Sequence, residues 1–345
     1  MDNPFAVFVP QSNVSLLKYN TFHVDAKAEW FASIDFEYQI PTMLDWVDEH
    51  DVDLHLIGGG SNILLTKDVS GLVVRIAIDG LECDVETFSD KVLLTAGAGI
   101  QWERVVECAT SHGWWGIENL TLIPGVMGSA PVQNIGAYGV ELADLFYSLR
   151  AWDRMRGEVV TLVKEDCRFG YRQSVFKEWP NRYIILSVSL LLKKEGSPRI
   201  GYGQIETKLK ESGIDSPSPA DIMNVIRSIR EEKLPDTKRV GCAGSFFKNP
   251  VISADFFNSL KRRFPEMPSY IIDENFIKIP AGWLIEQSGW KGFRKDNIGV
   301  WPHQALVIVN YGNATGKELL SLAHDIIDSV RTKFDVVLYP EVNIL

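Results

Sequence analysis

The chain has 345 residues, more than one hydrophobic core ordinarily organises, so two or three domains are expected. It is 46% hydrophobic and 23% charged, as ordinary water-soluble globular proteins are. Its formal net charge of −10 argues against DNA or RNA as a partner, because that footprint is basic, yet still permits a local basic pocket for a phosphorylated ligand.

Met1–Leu17 has no basic stretch followed by an apolar run, so no secretory signal is expected. Met43–Glu49 reads as a helix, and Leu54–Ile57 as a short strand that ends in glycines. Gly71–Ile78 and Val92–Ala96 are largely β-branched or aliphatic and read as strands. Apolar residues at helical spacing predict a helix over Trp102–Ser111, stopped at Gly113. Leu149–Asp153 and Val159–Val163 flank a turn at Met155-Arg156-Gly157-Glu158 and predict a hairpin, followed by a longer strand over Arg182–Leu192. Lys193–Ser218 is polar and rich in Gly, Ser and Pro. Ser218-Pro219-Ala220-Asp221 opens a helix whose buried face is Ile222, Val225, Ile226 and Ile229. The charged stretch Lys233–Val240 is the expected domain joint. Thr315-Gly316-Lys317-Glu318 forms a capping box for a helix that buries Leu319, Leu322, Ala323, Ile326 and Val330, and Val336–Val342 reads as a final strand. Strands and helices mix without a strict alternating rhythm, which favours α+β. No apolar run reaches membrane-spanning length. Cys83, Cys108, Cys167 and Cys242 lie far apart and read as reduced thiols of a cytosolic protein, and no His spacing suggests a metal.

Five stretches have a composition suited to chemistry. Gly58-Gly59-Gly60-Ser61-Asn62 follows a strand directly, and successive N–H groups there suit an anion as well as a tight turn. Leu122–Gly139 joins four glycines and two prolines with no charge, a composition for a rigid loop pressed on a flat ligand or a pyrophosphate, or for a buried structural turn. Cys167–Ser174 carries two arginines and two aromatics, and Arg172 has the fork geometry for a carboxylate, although a surface strand with cation–π packing fits as well. In Ala243–Pro250, Ser245 stands between a glycine and two phenylalanines without the pattern of a nucleophile elbow. Tyr339-Pro340-Glu341-Val342 places an acid beside a proline.

Taken in order, these stretches resemble the UDP-N-acetylenolpyruvoylglucosamine reductase family (MurB). The signatures are GGGSN at Gly58–Asn62, IPGVMGSAPVQNIGAYG at Ile123–Gly139, FGYRQSVFK at Phe169–Lys177 and GSFFKNP at Gly244–Pro250. AGWLIEQSGWKG at Ala281–Gly292 and QAL at Gln304–Leu306 support them. The resemblance implies an α+β fold with an FAD-binding region of the vanillyl-alcohol-oxidase type and a separate C-terminal α/β substrate-binding domain. Residues 1–70 with 336–345 would form a first FAD-binding subdomain, 71–234 a second, and 235–335 the substrate domain. It implies a UDP-N-acetylmuramate dehydrogenase, with non-covalent FAD reduced by NADPH, acting on UDP-N-acetylglucosamine enolpyruvate in peptidoglycan synthesis. By the same resemblance Arg172, Ser245 and Glu341 are catalytic, with Ser245 as proton donor. FAD would be held by Gly58, Gly59, Gly60, Ser61, Asn62, Ile123, Pro124, Gly125, Gly128, Ser129, Ala130, Gln133, Asn134 and Gly136. Tyr138, Tyr202, Lys233, Asn249, Lys291 and Gln304 would face the sugar nucleotide, with Gly201-Tyr202-Gly203 as the tyrosine loop of the type I form. A cytoplasmic monomer is implied. Two positions depart from the pattern: Asn343 stands where arginine often follows Glu341-Val342, and Trp301 where histidine is common. A flavoprotein acting on another substrate would show a His or Cys placed for covalent flavin attachment or lack Ser245 and Glu341. A non-catalytic binding module would lack one of the three catalytic residues.

Overall fold

A computed structural model describes residues 8–345. The expectation about Met1–Leu17, and the start of the 1–70 division, fall partly on residues 1–7, which lie outside the described residues. The chain divides into two compact units.

The first unit comprises the described residues up to Val14, Ala28–Gly60 and Val69–Arg230. One sheet runs in the order Gln11–Ser15, Lys27–Ile34, Val69–Ile76, Leu54–Ile57, and the last three strands pair in parallel. The helix Gln39–His50 lies in the chain between Lys27–Ile34 and Leu54–Ile57, the two strands that flank Val69–Ile76. Val69–Ile76 has a neighbour on each side, so it is apolar almost throughout, with Leu72, Val73 and Val74 buried. The helix starts at Gln39, earlier than the expected Met43. Pro41 falls in its first turn, where a missing N–H is no loss, and Gln39 Oε1 accepts the N–H groups of Asp35 and Phe36.

A second sheet of this unit is antiparallel throughout: Glu158–Val163, Phe146–Asp153, Tyr183–Lys193, Lys91–Gly97, Leu81–Asp84. The expected hairpin is its first pair. The helix Trp102–Ser111 has the expected limits, and Trp102, Val105, Val106 and Ala109 join the core shared with these strands. Pro219–Lys233 starts at the expected proline, and Ile222, Ile226 and Ile229 pack with Ile205 and Leu209. The latter two belong to Ile205–Glu211, a short helix inside the polar 193–218 stretch that composition did not suggest.

The second unit comprises Ser15–Lys27, Ser61–Asp68 and Glu231–Leu345. The division falls between Arg230 and Glu231, inside the last turn of Pro219–Lys233 and just before the expected joint. Two small antiparallel sheets, Val251–Ser253/Phe276–Lys278/Tyr270–Ile271 and Arg294–Lys295/Ile298–Val300/Ile308–Asn310, accompany the helices Ala254–Arg263, Ala281–Gln287 and Gly316–Phe334. The capping box forms as expected: Thr315 Oγ1 accepts the Glu318 N–H and Glu318 Oε2 accepts the Thr315 N–H.

The expected strand Val336–Val342 does not form. Its period-two burial is present, with Val336 and Leu338 buried and Val337 and Tyr339 exposed. Pro340, however, has no N–H for a ladder, and only an isolated bridge to Phe247 forms. The terminal pairing is instead Asn343–Ile344, parallel to Ile63–Leu64. Among the described residues no helix is long and apolar enough to cross a membrane.

At the hairpin, Asp153 is 1% exposed and receives Arg182 Nε at 3.2 Å and Nη2 at 2.9 Å. The Arg182 guanidinium also lies over the rings of Trp179 and Tyr183. Its hydrogen bonds hold the Asp153 carboxyl below the usual carboxylate range. A depressed carboxylate contributes stability that is present above its unfolded pKa and lost as pH falls through its folded one. Asp153→Asn should therefore lower stability at neutral pH and flatten the loss of stability on acidification below about pH 4, as measured by urea titration at several pH values.

Candidate active site

In the first unit, the two glycine-rich stretches lie back to back. A Cβ on Gly58 would stand 2.6 Å from Val126 Cγ2, and one on Gly59 would stand 3.1 Å from Gly125 Cα. Only residues without side chains allow this approach. The N–H groups of Gly58, Gly59 and Gly60 make no hydrogen bond to another described residue, so the strand end presents three unused donors. Such a cluster suits an anionic diphosphate, and on this observation the residues fit a dinucleotide such as FAD. Opposite, Gly128 N donates to Ala98 O at 2.9 Å, Met127 N to Ile100 O at 2.8 Å and Ser129 Oγ to Val126 O at 2.8 Å. Ala130 is buried, Ile123 and Gln133 are half-buried, and Pro124 is exposed.

Leu122, Asn134, Tyr138 and Arg172 all hold left-handed backbone, at φ of 54°, 44°, 49° and 54°. Non-glycine residues keep that conformation where their surroundings enforce it. The enforcing contacts are identifiable. Asn134 is buried. Its amide donates to Glu141 Oε2 at 2.8 Å and Gly170 O at 3.1 Å, and its Oδ1 accepts the Ala143 N–H. Its side chain braces the loop. Arg172 sits at the tip of a turn closed by reciprocal Gly170–Gln173 bonds and donates from Nη2 to Gly136 O at 2.9 Å. A Cβ on Gly136 would stand 3.3 Å from Arg172 Nη1, so this glycine admits the guanidinium. Tyr138 and Tyr202 meet edge to face, with ring centroids 6.1 Å apart.

Residues that carried no sequence signal hold this loop. Glu103 accepts Thr121 Oγ1 at 2.7 Å, the Leu122 N–H at 2.5 Å and Arg227 Nη2 at 2.6 Å. Arg230 Nη2 donates to Leu122 O at 3.1 Å, while its buried Nε has no partner. Burial lowers the Arg230 pKa, and the nearby Tyr138 and Glu103 oppose that shift. Burial likewise raises the Tyr138 phenol, against a hydrogen bond and the charge from Arg230. The spacing Arg227–Arg230, three residues apart on one helix, was the available hint.

In the second unit, Ser61 and Asn62 continue the glycine motif. Asn62 Nδ2 donates to Glu341 O at 3.3 Å, and Asn62 O accepts the N–H of Asn343 at 3.0 Å and its amide at 3.1 Å. Ser245 is exposed and precedes Phe246, which is buried. Phe246 N donates to Leu306 O at 2.8 Å, and Phe246 O accepts the Glu341 N–H at 2.8 Å. That backbone brings Ser245, Glu341 and the Gln304–Leu306 turn together. Asn249 Oδ1 accepts the Ala281 N–H at 2.9 Å and caps the Ala281–Gln287 helix. A Cβ on Gly282 would stand 3.2 Å from Gln304 Oε1. Lys291 is paired with Glu286 at 2.9 Å, and Lys233 is exposed at a helix end. Among the described residues there is no cluster of three or more His, Cys, Asp or Glu able to hold a metal.

Residues 235–345 match the family model described as UDP-N-acetylenolpyruvoylglucosamine reductase, C-terminal domain, and residues 32–163 match that of an FAD binding domain. The chain is 46% identical over 334 residues to the UDP-N-acetylenolpyruvoylglucosamine reductase of Pseudomonas aeruginosa, covering 97% of this chain and 98% of the relative. It is 45% identical over 333 residues to that of Pseudomonas fluorescens, covering 96% and 98%. The figure is 43% over 337 residues for that of Chromobacterium violaceum, covering 97% and 98%. A solved structure of the reductase from Thermus caldophilus superposes with a TM-score of 0.65 over 97% of this chain and 99% of that chain, at 23% identity, a likeness of fold.

Gly59→Ala forces the two loops apart by a few tenths of an ångström. FAD retention should weaken about tenfold, equivalent to roughly 1.4 kcal/mol, with secondary structure kept. Flavin absorbance per chain after dialysis, beside a far-ultraviolet circular dichroism spectrum, checks this.

Proposed function

The chain belongs to the UDP-N-acetylenolpyruvoylglucosamine reductase family, and from that premise we propose which of its residues carry out the reduction. The protein is an FAD-dependent oxidoreductase that reduces UDP-N-acetylglucosamine enolpyruvate to UDP-N-acetylmuramate in peptidoglycan precursor synthesis. FAD, when bound, would supply the hydride chemistry between NADPH and the enolpyruvyl group. Gly58, Gly59 and Gly60 would offer N–H groups to its diphosphate, and the Ile123–Gly136 loop would hold the flavin.

The residue assignment rests on one observation: the Phe246 carbonyl accepts the Glu341 N–H, which sets Ser245 and Glu341 on adjoining extended segments. Ser245 Oγ donates a proton to the carbon next to the substrate carboxylate as hydride arrives on the methylene. A serine hydroxyl is a weak acid, so the negative charge growing on the substrate must be met by fixed donors and cations. Arg172 is the permanent cation for that carboxylate, held by Gly136 O and the Gly170–Gln173 turn. Glu341 shares in stabilising the intermediate. Tyr138, Tyr202, Lys233, Asn249, Lys291 and Gln304 face the sugar nucleotide, and residues 235–335 act as its domain. The Asn62–Asn343 bonds suit an Asn343 that takes over a contact made elsewhere in the family by arginine. The enzyme works as a cytoplasmic monomer.

An anaerobic visible spectrum tests the whole reading. The flavin band should bleach with NADPH and return with UDP-N-acetylglucosamine enolpyruvate. Bleaching without return would mean another substrate. In Ser245→Ala, bleaching by NADPH should be intact while reoxidation by the sugar nucleotide slows about 10²–10⁴-fold, the range for a lost general acid. Equal slowing of both half-reactions would remove Ser245 from its role.

A further inference from the structure

Asn119 lies in the single turn Glu118–Leu120, just before the Leu122–Gly139 loop, and is fully buried. Its amide nitrogen donates to Tyr138 O at 3.0 Å and to Arg199 O at 2.8 Å. Those two acceptors fix the amide's orientation, because the reversed amide would set oxygen against two carbonyl oxygens. Asn119 Oδ1 has no hydrogen-bond partner. A buried acceptor without a partner is unfavourable, so the side chain is kept in place by what its nitrogen does.

The nitrogen ties together the chain segments of two tyrosines. Tyr138 holds a backbone conformation uncommon for an aromatic residue, at φ 49°. Its ring meets that of Tyr202 at an interplanar angle of 86°. Tyr202 is 46% exposed and follows Arg199 in a stretch that is neither helix nor strand. The positive charge of Arg230 also lies near Tyr138. Tyr138 is held at its carbonyl, and the Tyr202 segment takes a core-derived bond at Arg199 O.

We propose that Asn119 is a positioning residue for the sugar nucleotide: by bridging the Tyr138 and Arg199 carbonyls it sets the spacing of Tyr138 and Tyr202 before substrate arrives. This rests on the reading that both tyrosines face the substrate. A wall ordered in advance loses less side-chain and loop entropy on binding, so the effect falls on affinity more than on the chemical step. Neither serine nor aspartate can make both donations, since serine has one donor and an ionised carboxylate none.

The test is steady-state kinetics on flavin-loaded wild type, Asn119→Ser, Tyr202→Ala and the double variant. Asn119→Ser should raise KM for UDP-N-acetylglucosamine enolpyruvate about tenfold, the scale of one lost hydrogen bond, with kcat within about twofold and flavin per chain unchanged. In the Tyr202→Ala background the same substitution should add nothing more. Additive effects of the two substitutions, or an unchanged KM in Asn119→Ser, overturn the proposal and leave Tyr202 in the site. An unchanged KM in Tyr202→Ala overturns the underlying reading and the proposal with it. If Asn119→Ser does not hold flavin, the isosteric Asn119→Asp takes its place with the same expected rise. Loss of flavin in both gives Asn119 a structural role only, against the proposal.

Discussion

The Leu122–Gly139 loop has to keep one shape with only a few single helical turns and a two-residue strand pair of its own, and the Glu103 carboxylate is where that shape is set. One carboxylate gathers the Thr121 hydroxyl, the Leu122 N–H and the Arg227 guanidinium. The point where the loop leaves the core is thereby fixed by charge-assisted bonds, which are shorter and stronger than neutral ones. Arg230, one turn beyond Arg227, then takes the Leu122 carbonyl, and Asn134 braces the middle of the loop. Loosening buried Asn134 would leave its amide and its partners unpaired, which holds the middle of the loop in place. The glycines grant close approach, and the polar clamps decide where that approach occurs.

The second unit solves its positioning problem through backbone. Phe246 is bonded on one side to Leu306 and on the other to the Glu341 N–H, and Lys248 N donates to Tyr339 O. Pro340 interrupts what would otherwise be a strand. Buried Phe246 and Phe247 anchor the segment, with Phe22 packed edge to face on Phe246. Ser245 is then held at the exposed end of a well-anchored stretch.

Local signals in the sequence located most of what is local in the fold. Ser218-Pro219 and the Thr315–Glu318 box start helices because capping involves residues a few positions apart, and the apolar spacing of Trp102–Ser111 needs nothing beyond itself. The pairing of Val69–Ile76 with two parallel neighbours was not legible, since parallel register depends on distant segments. Val336–Val342 misled because alternation reports burial, while a ladder also needs N–H donors at the right places. In the site, the motif stretches were visible as unusual composition, and the resemblance organised them. What else their side chains do was not visible: Asn134 braces its loop, Asn249 accepts the Ala281 N–H, and Lys291 pairs with Glu286. Asn119 gave no signal, and Arg230 only its spacing from Arg227, because a buried polar residue is defined by partners far away in sequence.

The parallel pairing of Ile63–Leu64 with Asn343–Ile344 ties together residues about 280 positions apart, reinforced by Leu345 O accepting both Thr66 N and Thr66 Oγ1. On a ribosome that adds about 5–20 residues per second, Ser61–Asp68 waits on the order of tens of seconds for its partner. During that interval Leu64 and Leu65, both buried in the finished protein, have no complete surface to bury against. The second unit thus cannot close before Asn343 and Ile344 have been made, and until then Ser61–Asp68 lacks its partner strand.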